Sequence, residues 1–205
     1  MKTEKNTIIG YSGHAYVVIE SARSIGISFD SYCDRQENND NPYDLLYLGD
    51  ESKELLKDRK WFIGIGDNHI RERIFHTYRE WGTCFTIIDP SARVSFSAKI
   101  GTGTFIARNV SVNALADIGT GVILNTSSVV EHECVIGDFS HIAPGAVLAG
   151  NVTVGKRSFI GANSVVKEGI NIGDHVIIGA GTVVIRDVPD GCTVVGNPGR
   201  IIKRK

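Results

Sequence analysis

The composition of this 205-residue chain argues against several broad classes of protein. A formal net charge of −1, from 22 Lys and Arg against 23 Asp and Glu, provides no basic surface for nucleic acid. No apolar stretch approaches the length of a membrane span, and the N-terminus lacks the apolar core of a signal peptide. The four cysteines are scattered without a C-x-x-C pair. We therefore expect a reduced, cytoplasmic protein that binds neither nucleic acid nor membrane.

The first 87 residues alternate predicted strands with predicted helices. Short apolar runs predict strands at Asn6–Gly10, Ile27–Asp34, Trp61–Gly66 and Thr83–Ile87. Helical spacing of apolar residues predicts helices at Gly13–Ile25 and Asn68–Trp81, with a shorter one at Glu51–Lys57. This alternation is typical of a small parallel α/β domain of the Rossmann type. We place its boundary near Ile88–Pro90, which divides the chain into domains at residues 1–87 and 88–205.

Three candidate ligand-binding segments follow the predicted strands. The glycine turn Gly10–His14 opens the first helix, where backbone N–H groups suit a phosphate, although it lacks the G-x-G-x-x-G dinucleotide fingerprint. Asp34 ends the second strand, where an acid often meets a ribose or base, and Gly64–Asn68 with Arg71 follows the third. An ordinary turn or a solvated aspartate is the alternative at each place. Because ligands of open α/β sheets bind at the carboxyl ends of the strands, the three segments support one another.

The second half of the chain carries an unbroken six-residue period. An aliphatic residue occupies every sixth position from Ile88 to Val184, and a small or β-branched residue follows four positions later. Such a period matches neither an α-helix nor an alternating strand. It is the signature of a hexapeptide β-helix, in which each coil is a triangle of three short strands. We expect about six coils without a protruding loop.

A second period of eighteen residues marks one corner of the triangle. An Ile-Gly or Val-Gly pair recurs once per predicted coil, with its glycine at Gly101, Gly119, Gly137, Gly155 and Gly173. We expect glycine at this corner because a tight turn there needs a backbone conformation that other residues avoid.

Two histidines, His132 and His141, depart from the hexad pattern by placing an imidazole outside the core. The positions that match His132 one coil earlier and later are Ala114 and Gly150, so a groove is expected beside the ring. Glutamates flank His132, and a carboxylate bonded to one ring nitrogen would increase the basicity of the other. A surface histidine on a solvated turn is the alternative. We interpret three further histidines as structural, namely His69, His76 and His175.

Longer motifs resemble those of one enzyme family. The string Glu-His-Glu-Cys-Val-Ile-Gly-Asp-Phe-Ser-His at 131–141, the early Gly-Tyr-Ser-Gly-His and the Ile-Gly-Asp-Asn at 65–68 resemble the NeuD/PglD-type bacterial sugar acetyltransferases. The resemblance covers nearly the whole chain. It implies an N-terminal Rossmann-like domain that binds a nucleotide-linked sugar and a left-handed parallel β-helix that binds acetyl-CoA. It also implies a homotrimer with active sites between neighbouring subunits.

The same resemblance implies roles for individual residues. His132 matches the general base, and Glu133 matches the acid that increases its basicity. Contacts with acetyl-CoA are implied for His141, Gly150, Ala162 and Ala180. Contacts with the nucleotide sugar are implied for Ser12, Gly13, His14, Asp34 and Gly66. The family usually shows an acidic pair after the second strand, of which only Asp34 is clear in this sequence.

The implied reaction is direct transfer of an acetyl group from acetyl-CoA to the amino group of a nucleotide-linked amino sugar, as used in bacterial surface glycan or glycoprotein sugar biosynthesis. We expect no metal and no acyl-enzyme, because no cysteine or serine lies beside a base. Three alternatives stay open at this point. They are a sialic acid O-acetyltransferase, a zinc carbonic anhydrase with three converging histidines, and a non-catalytic β-helix scaffold or ligand sensor.

Overall fold

The computed structural model describes residues 5–204, and its N-terminal part is a five-stranded parallel sheet of order β3-β2-β1-β4-β5. The strands are β1 (Asn6–Ile9), β2 (Ser31–Cys33), β3 (Leu46–Tyr47), β4 (Lys60–Ile63) and β5 (Thr83–Cys84). The helices are α1 (Gly13–Ser24), α2 (Lys53–Leu56) and α3 (Asn68–Tyr78). The predicted Rossmann-like α/β architecture is therefore confirmed.

Some predicted boundaries were wrong for local reasons. The second strand is confined to Ser31–Cys33, and β3, which pairs with it, was not predicted because two residues at a sheet edge carry no period. The strand predicted at Thr83–Ile87 is divided in two. Its first part pairs with β4, whereas Ile87 pairs with Phe105 in the second half of the chain.

Short strands, of two residues each from β6 to β22, build the second half of the chain into three faces. Face 1 holds β6 (Ile87–Ile88), β9 (Phe105–Ile106), β12 (Ile123–Leu124), β15 (His141–Ile142), β18 (Phe159–Ile160), β21 (Ile177–Ile178) and β23 (Thr193–Val195), with β24 (Arg200–Lys203) antiparallel at its end. Face 2 holds β7 (Arg93–Val94), β10 (Ser111–Val112), β13 (Val129–Val130), β16 (Val147–Leu148), β19 (Val165–Val166) and β22 (Val183–Val184). Face 3 holds β8 (Lys99–Ile100), β11 (Asp117–Ile118), β14 (Val135–Ile136), β17 (Thr153–Val154) and β20 (Asn171–Ile172). Neighbouring strands pair at an offset of eighteen residues, as Val130 does with Leu148, so the hexapeptide β-helix is confirmed.

The core of this β-helix is narrow and filled by the two residues that each hexad points inward. Every hexad aliphatic from Ile106 to Val184 is buried. The small or β-branched residues four positions later are buried as well, among them Ser128 and Cys134, both at 0% exposure. Cys134 is thus a core residue of the β-helix. Small side chains at these positions allow the three faces to approach one another.

The backbone conformation predicted for the glycines of the Ile-Gly and Val-Gly pairs was wrong. None of the five glycines from Gly101 to Gly173 has a positive φ; the left-handed conformation instead recurs at every sixth residue from Gly103 to Gly181, whatever the residue type. Glycine is needed at the Ile-Gly corner because of a close approach between coils. A Cβ at Gly101 would lie 2.5 Å from the backbone carbon of Gly119.

The two halves of the chain share one apolar core. The buried face of α1, which includes Val18, Ile19 and Ala22, packs with Ile87 and Phe105 of face 1. This packing places the N-terminus of α1 and the glycine turn beside face 1. Within residues 5–204, no helix is both long and apolar enough to cross a membrane.

Candidate active site

His132 and Glu133 form a pair at the corner that follows β13. The repeat places Glu133 in the left-handed conformation, with φ of 60°. Its Oε2 lies 3.0 Å from Nδ1 of His132, and both side chains are 58% exposed. If Nδ1 carries the proton that the carboxylate accepts, Nε2 keeps its lone pair and can accept a proton from a bound molecule.

Gly150 lies directly beside the imidazole of His132. A Cβ added at Gly150 would lie 2.5 Å from Cε1 and 2.6 Å from Nε2 of the ring. The backbone N–H of Asn151 also donates to the carbonyl of His132 at 2.8 Å, which ties the two coils together. The groove expected at this position is therefore occupied by the imidazole itself, and any larger side chain at position 150 would displace it.

A second pair of imidazoles lies where α1 meets face 1. His141, on β15, is only 8% exposed, and its Nε2 lies 3.1 Å from Nδ2 of Asn125. The ring of His14, in the first turn of α1, lies 6.3 Å from the ring of His141, centroid to centroid. His14 Nε2 and His141 Nδ1 are buried without a hydrogen-bond partner among the described residues. Two ring nitrogens without a hydrogen-bond partner are therefore buried at the junction of α1 and face 1.

Both of these imidazoles are neutral at neutral pH. Burial, together with the positive charge of Arg71, lowers the pKa of His14 to about 4. Burial, Arg71 and His14 together lower the pKa of His141 to about 3, against a smaller opposing effect of the Gly66 carbonyl. A neutral imidazole offers one donor and one acceptor, so each ring can hydrogen-bond an uncharged polar group.

A cleft of about 270 Å³ opens at the carboxyl ends of the strands, and Ser12, Asp34 and Gly66 all line it. The first turn of α1 has no acidic residue and no side-chain cap from Ser12, so its N–H groups are open to an anion. Asp34 also supports the turn, because its Oδ2 accepts a hydrogen bond of 2.9 Å from the backbone N–H of Tyr11. The structure thus brings together three of the five residues predicted to contact the sugar nucleotide.

Sequence reasoning missed several residues around these sites. Arg35, Glu51 and Arg73 also line the cleft, and Arg73 lies 3.6 Å from Glu51. Burial, assisted by Asp50, raises the pKa of Glu51. Arg35 adjoins Asp34 in the sequence and could have been found by that adjacency. Glu51, Arg73 and the Asn125 partner of His141 belong to separate segments that only the fold brings together.

The remaining predicted residues lie apart from this cleft. Gly13 is exposed at the start of α1. Ala162 and Ala180 occupy successive coils of one corner row, where the N–H of Gly181 donates to the carbonyl of Ala162 at 2.8 Å. This row follows face 1, whereas His132 belongs to the row that follows face 2. Arg71 does not serve as a free ligand, because carbonyl groups and Asn68 engage its guanidinium.

The three histidines that we interpreted as structural each contact other side chains in the fold. The rings of His69 and His175 stack at 5.3 Å, in a crevice of about 420 Å³ between α3 and face 1. His76 is exposed near Glu72 and packs against Phe139. Across residues 5–204, no group of three or more His, Cys, Asp or Glu side chains is arranged to hold a metal ion. The zinc alternative therefore has no ligand set in this part of the chain.

Comparison with known proteins places the chain in a family. The PglD N-terminal domain family matches residues 5–78, and the hexapeptide repeat family of succinyl-transferase matches residues 151–186. PerB of Caulobacter crescentus, whose structure contains CoA and GDP-perosamine, is 36% identical over 97% of both chains, with a TM-score of 0.91. No functionally curated protein matches the chain significantly.

Two further structures are similar over nearly their whole length. The acetyltransferase domain of PglB from Neisseria gonorrhoeae, solved with acetyl coenzyme A, is 32% identical, covers 97% of this chain and 99% of its own, and has a TM-score of 0.90. WeeI of Acinetobacter baumannii is 25% identical, covers 98% of this chain and 100% of its own, and has a TM-score of 0.88. The chain belongs to the NeuD/PglD-type family of bacterial sugar acetyltransferases, and it is an acyltransferase of the hexapeptide-repeat class.

Proposed function

We propose that the chain transfers the acetyl group of acetyl-CoA to the amino group of a nucleotide-linked amino sugar. The observation that carries this proposal is the contact of 3.0 Å between His132 Nδ1 and Glu133 Oε2, which leaves Nε2 to act as a base. Support also comes from PerB, at 36% identity, whose structure holds CoA together with GDP-perosamine. The PglB acetyltransferase domain was solved with acetyl coenzyme A.

In this proposal His132 acts directly on the reacting nitrogen. The amine of the sugar attacks the thioester carbonyl while Nε2 of His132 takes its proton. The carbon–sulfur bond then breaks, and the proton held by His132 passes to the departing thiolate of CoA. Glu133 stabilises the imidazolium that forms in between. The residues that would line the path of acetyl-CoA are His141, Gly150, Ala162 and Ala180.

The acceptor would bind through its nucleotide in the N-terminal cleft. The uncapped N-terminus of α1, at Ser12 and Gly13, suits the diphosphate, and Asp34 lies where a ribose or base would reach. His14 belongs to the same diphosphate-binding turn, and Gly66 would be a further contact of the acceptor. We accordingly assign nucleotide-sugar binding to residues 1–87 and acetyl-CoA binding to residues 88–205, and we place the enzyme in the cytoplasm.

We further propose that the site is completed by a neighbouring subunit in a homotrimer. Among the contacts of the described residues, His132 has none with the N-terminal part of its own chain. Phe96, two coils before His132 in the same corner row, is fully exposed, and Leu115 beside this row is 64% exposed. A second copy of the chain packed along this row would cover both side chains and bring its N-terminal cleft toward His132.

Mass spectrometry of reaction products tests the proposed function. The protein is incubated with acetyl-CoA and, in parallel, with UDP-, GDP- and dTDP-linked amino sugars and with free sialic acid. We expect a nucleotide-linked amino sugar to gain one acetyl group as free CoA thiol appears in equal amount. Acetylation of sialic acid alone would establish the O-acetyltransferase alternative instead, and the absence of any acetylated product would refute both.

A further inference from the structure

Arg71, in the second turn of α3, is a buried cation without a carboxylate partner. Its side chain is 2% exposed, and no ion pair to it occurs within residues 5–204. Burial lowers its pKa to about 9, partly offset by Asp67, so the guanidinium is still protonated at neutral pH. Burying an unpaired charge is costly unless hydrogen bonds satisfy its donors. The contacts of Arg71 therefore require an explanation beyond packing.

All donors of Arg71 are satisfied by oxygens from both halves of the chain. Within the N-terminal half, Nη1 donates to the carbonyls of Ile65 and Gly66 at 3.2 and 3.0 Å, and Nη2 donates to Oδ1 of Asn68 at 2.8 Å. Toward the β-helix, Nε donates to Gly121 at 2.7 Å, and Nη2 donates to Phe139 and Ser140 at 2.8 and 3.3 Å. A single guanidinium thus joins the loop after β4 to two successive coils.

Asn68 extends this contact to a third coil. Its Nδ2 donates to the carbonyls of Arg157 and Ser158 at 3.0 and 3.2 Å. Gly121, Phe139 and Arg157 are equivalent left-handed corner residues spaced by eighteen, with φ of 62°, 57° and 58°. Arg71 and Asn68, which we call the Arg71 clamp, therefore donate hydrogen bonds to the corner carbonyls of three consecutive coils.

The loop held by the clamp is a wall of the substrate cleft. Ile65 and Gly66 line the 270 Å³ cleft, and Gly66 also lines the 420 Å³ crevice between α3 and face 1. Ser140, another acceptor of Arg71, immediately precedes His141. The clamp consequently sets where the wall of the cleft lies relative to the buried histidine on the β-helix.

We propose that Arg71 is a positioning residue that holds the Gly66 wall of the nucleotide-sugar cleft in register with His141. The part of this inference that concerns the acceptor rests on the proposed function. The geometric requirement is for several directed donors in one plane, which a guanidinium supplies and an ammonium does not. Charge alone at position 71 is not sufficient for this role.

Arg71→Lys and Arg71→Gln test the proposal, with Arg79→Lys and Arg79→Gln as matched controls. Arg79 is an exposed arginine at the C-terminus of the same helix. With GDP-perosamine as acceptor, we expect both Arg71 variants to raise its KM about tenfold or more, with a smaller change in kcat, because the cleft wall shifts. A structural role alone would lower the thermal midpoint and leave this KM unchanged well below the transition. Restoration of the wild-type KM by Arg71→Lys would overturn the proposal.

Hydrogen–deuterium exchange provides a readout that does not depend on activity. We expect faster exchange at residues 64–70 in both Arg71 variants, unchanged exchange in β1 and α1, and wild-type behaviour in the Arg79 variants. If Arg71→Gln does not fold, Arg71→Lys and Asn68→Ala carry the same comparison. Wild-type exchange at 64–70 in a folded Arg71→Lys protein would refute the positioning role. If the wild-type protein does not turn over GDP-perosamine, that acceptor is wrong. The exchange measurement at residues 64–70 still tests the positioning role of Arg71, because it does not depend on the acceptor.

Discussion

The imidazole of His132 rests on the backbone of Gly150, one coil further along the β-helix. A Cβ on Gly150 would approach Cε1 of the ring to 2.5 Å, so only glycine allows the ring to lie where it does. Glu133 holds the other edge of the ring through Nδ1 at 3.0 Å. An exposed side chain is thereby restrained from two sides without being buried, since 58% of its surface is still exposed.

Replacing His132 with alanine should lower kcat by about 10²–10⁴-fold, because the amine loses the group that takes its proton. Glu133→Gln should cost less, since it changes only the support of the imidazole. Steady-state kinetics with the acceptor identified by product analysis measures both. His76→Gln is the control, because His76 is exposed and outside the cleft. Near wild-type turnover by His132→Ala would remove the assignment, and a greater loss in Glu133→Gln would reverse the two roles.

Gly150→Ala should impair catalysis while leaving the fold intact. The added methyl group must displace the imidazole, and a shift of about 1 Å in a catalytic group can cost on the order of 10²-fold in rate. We expect lower kcat with an unchanged circular dichroism spectrum. Glu168→Ala is the matched control, because Glu168 occupies the same corner row one coil beyond Gly150 and is exposed. Full activity of Gly150→Ala would show that the ring does not need its observed position.

The β-helix was predictable because an aliphatic residue recurs at every sixth position over seventeen hexads, from Ile88 to Val184. Each hexad aliphatic is selected by the same narrow core, so the signal accumulates over the repeat. The left-handed corners were not predictable in the same way. Leu115, Glu133 and Phe139 all adopt a positive φ because the coil requires it, although none of these residue types prefers that conformation.

The contacts within the candidate sites differ in the same way, because some follow from the repeat and others depend on how the two halves of the chain pack. His132 and Gly150 are eighteen residues apart in one row, and the repeat alone indicated that they are neighbours. The pairing of His14 with His141 depends on how α1 packs on face 1, which no local pattern specifies. Arg71 was assigned to a ligand segment because it follows a glycine-rich loop. Its actual partners are carbonyl groups, which every residue carries and which no sequence pattern distinguishes.

Sedimentation velocity should show a trimer at micromolar protein concentration. Phe96 is fully exposed in the single chain, and burial of an aromatic side chain against a neighbour is worth about 1.5–3 kcal/mol. Phe96→Ser should therefore shift the equilibrium toward monomers and reduce activity at low protein concentration. Leu46→Ser is the control, because Leu46 is 64% exposed on the edge strand β3, away from the His132 row. A monomeric wild-type protein would contradict the composite site.

The stability of the protein should decrease as the pH falls from about 6.5 toward 4, because His14 and His141 are buried as neutral imidazoles. Their pKa values in the folded protein are about 4 and about 3, below the ordinary value of 6.5, so the unfolded chain binds more protons over this range. Each histidine contributes a slope of about 1.4 kcal/mol per pH unit between its two pKa values, and this contribution is fully present above pH 6.5. Urea unfolding of the wild type, His14→Gln and His141→Asn at pH 5 and pH 7 measures the change in the free energy of unfolding between the two pH values.

Both variants should lose less stability than the wild type between pH 7 and pH 5, whereas His76→Gln should behave like the wild type. Equal losses in all four proteins would show that these two imidazoles are not held neutral by the fold.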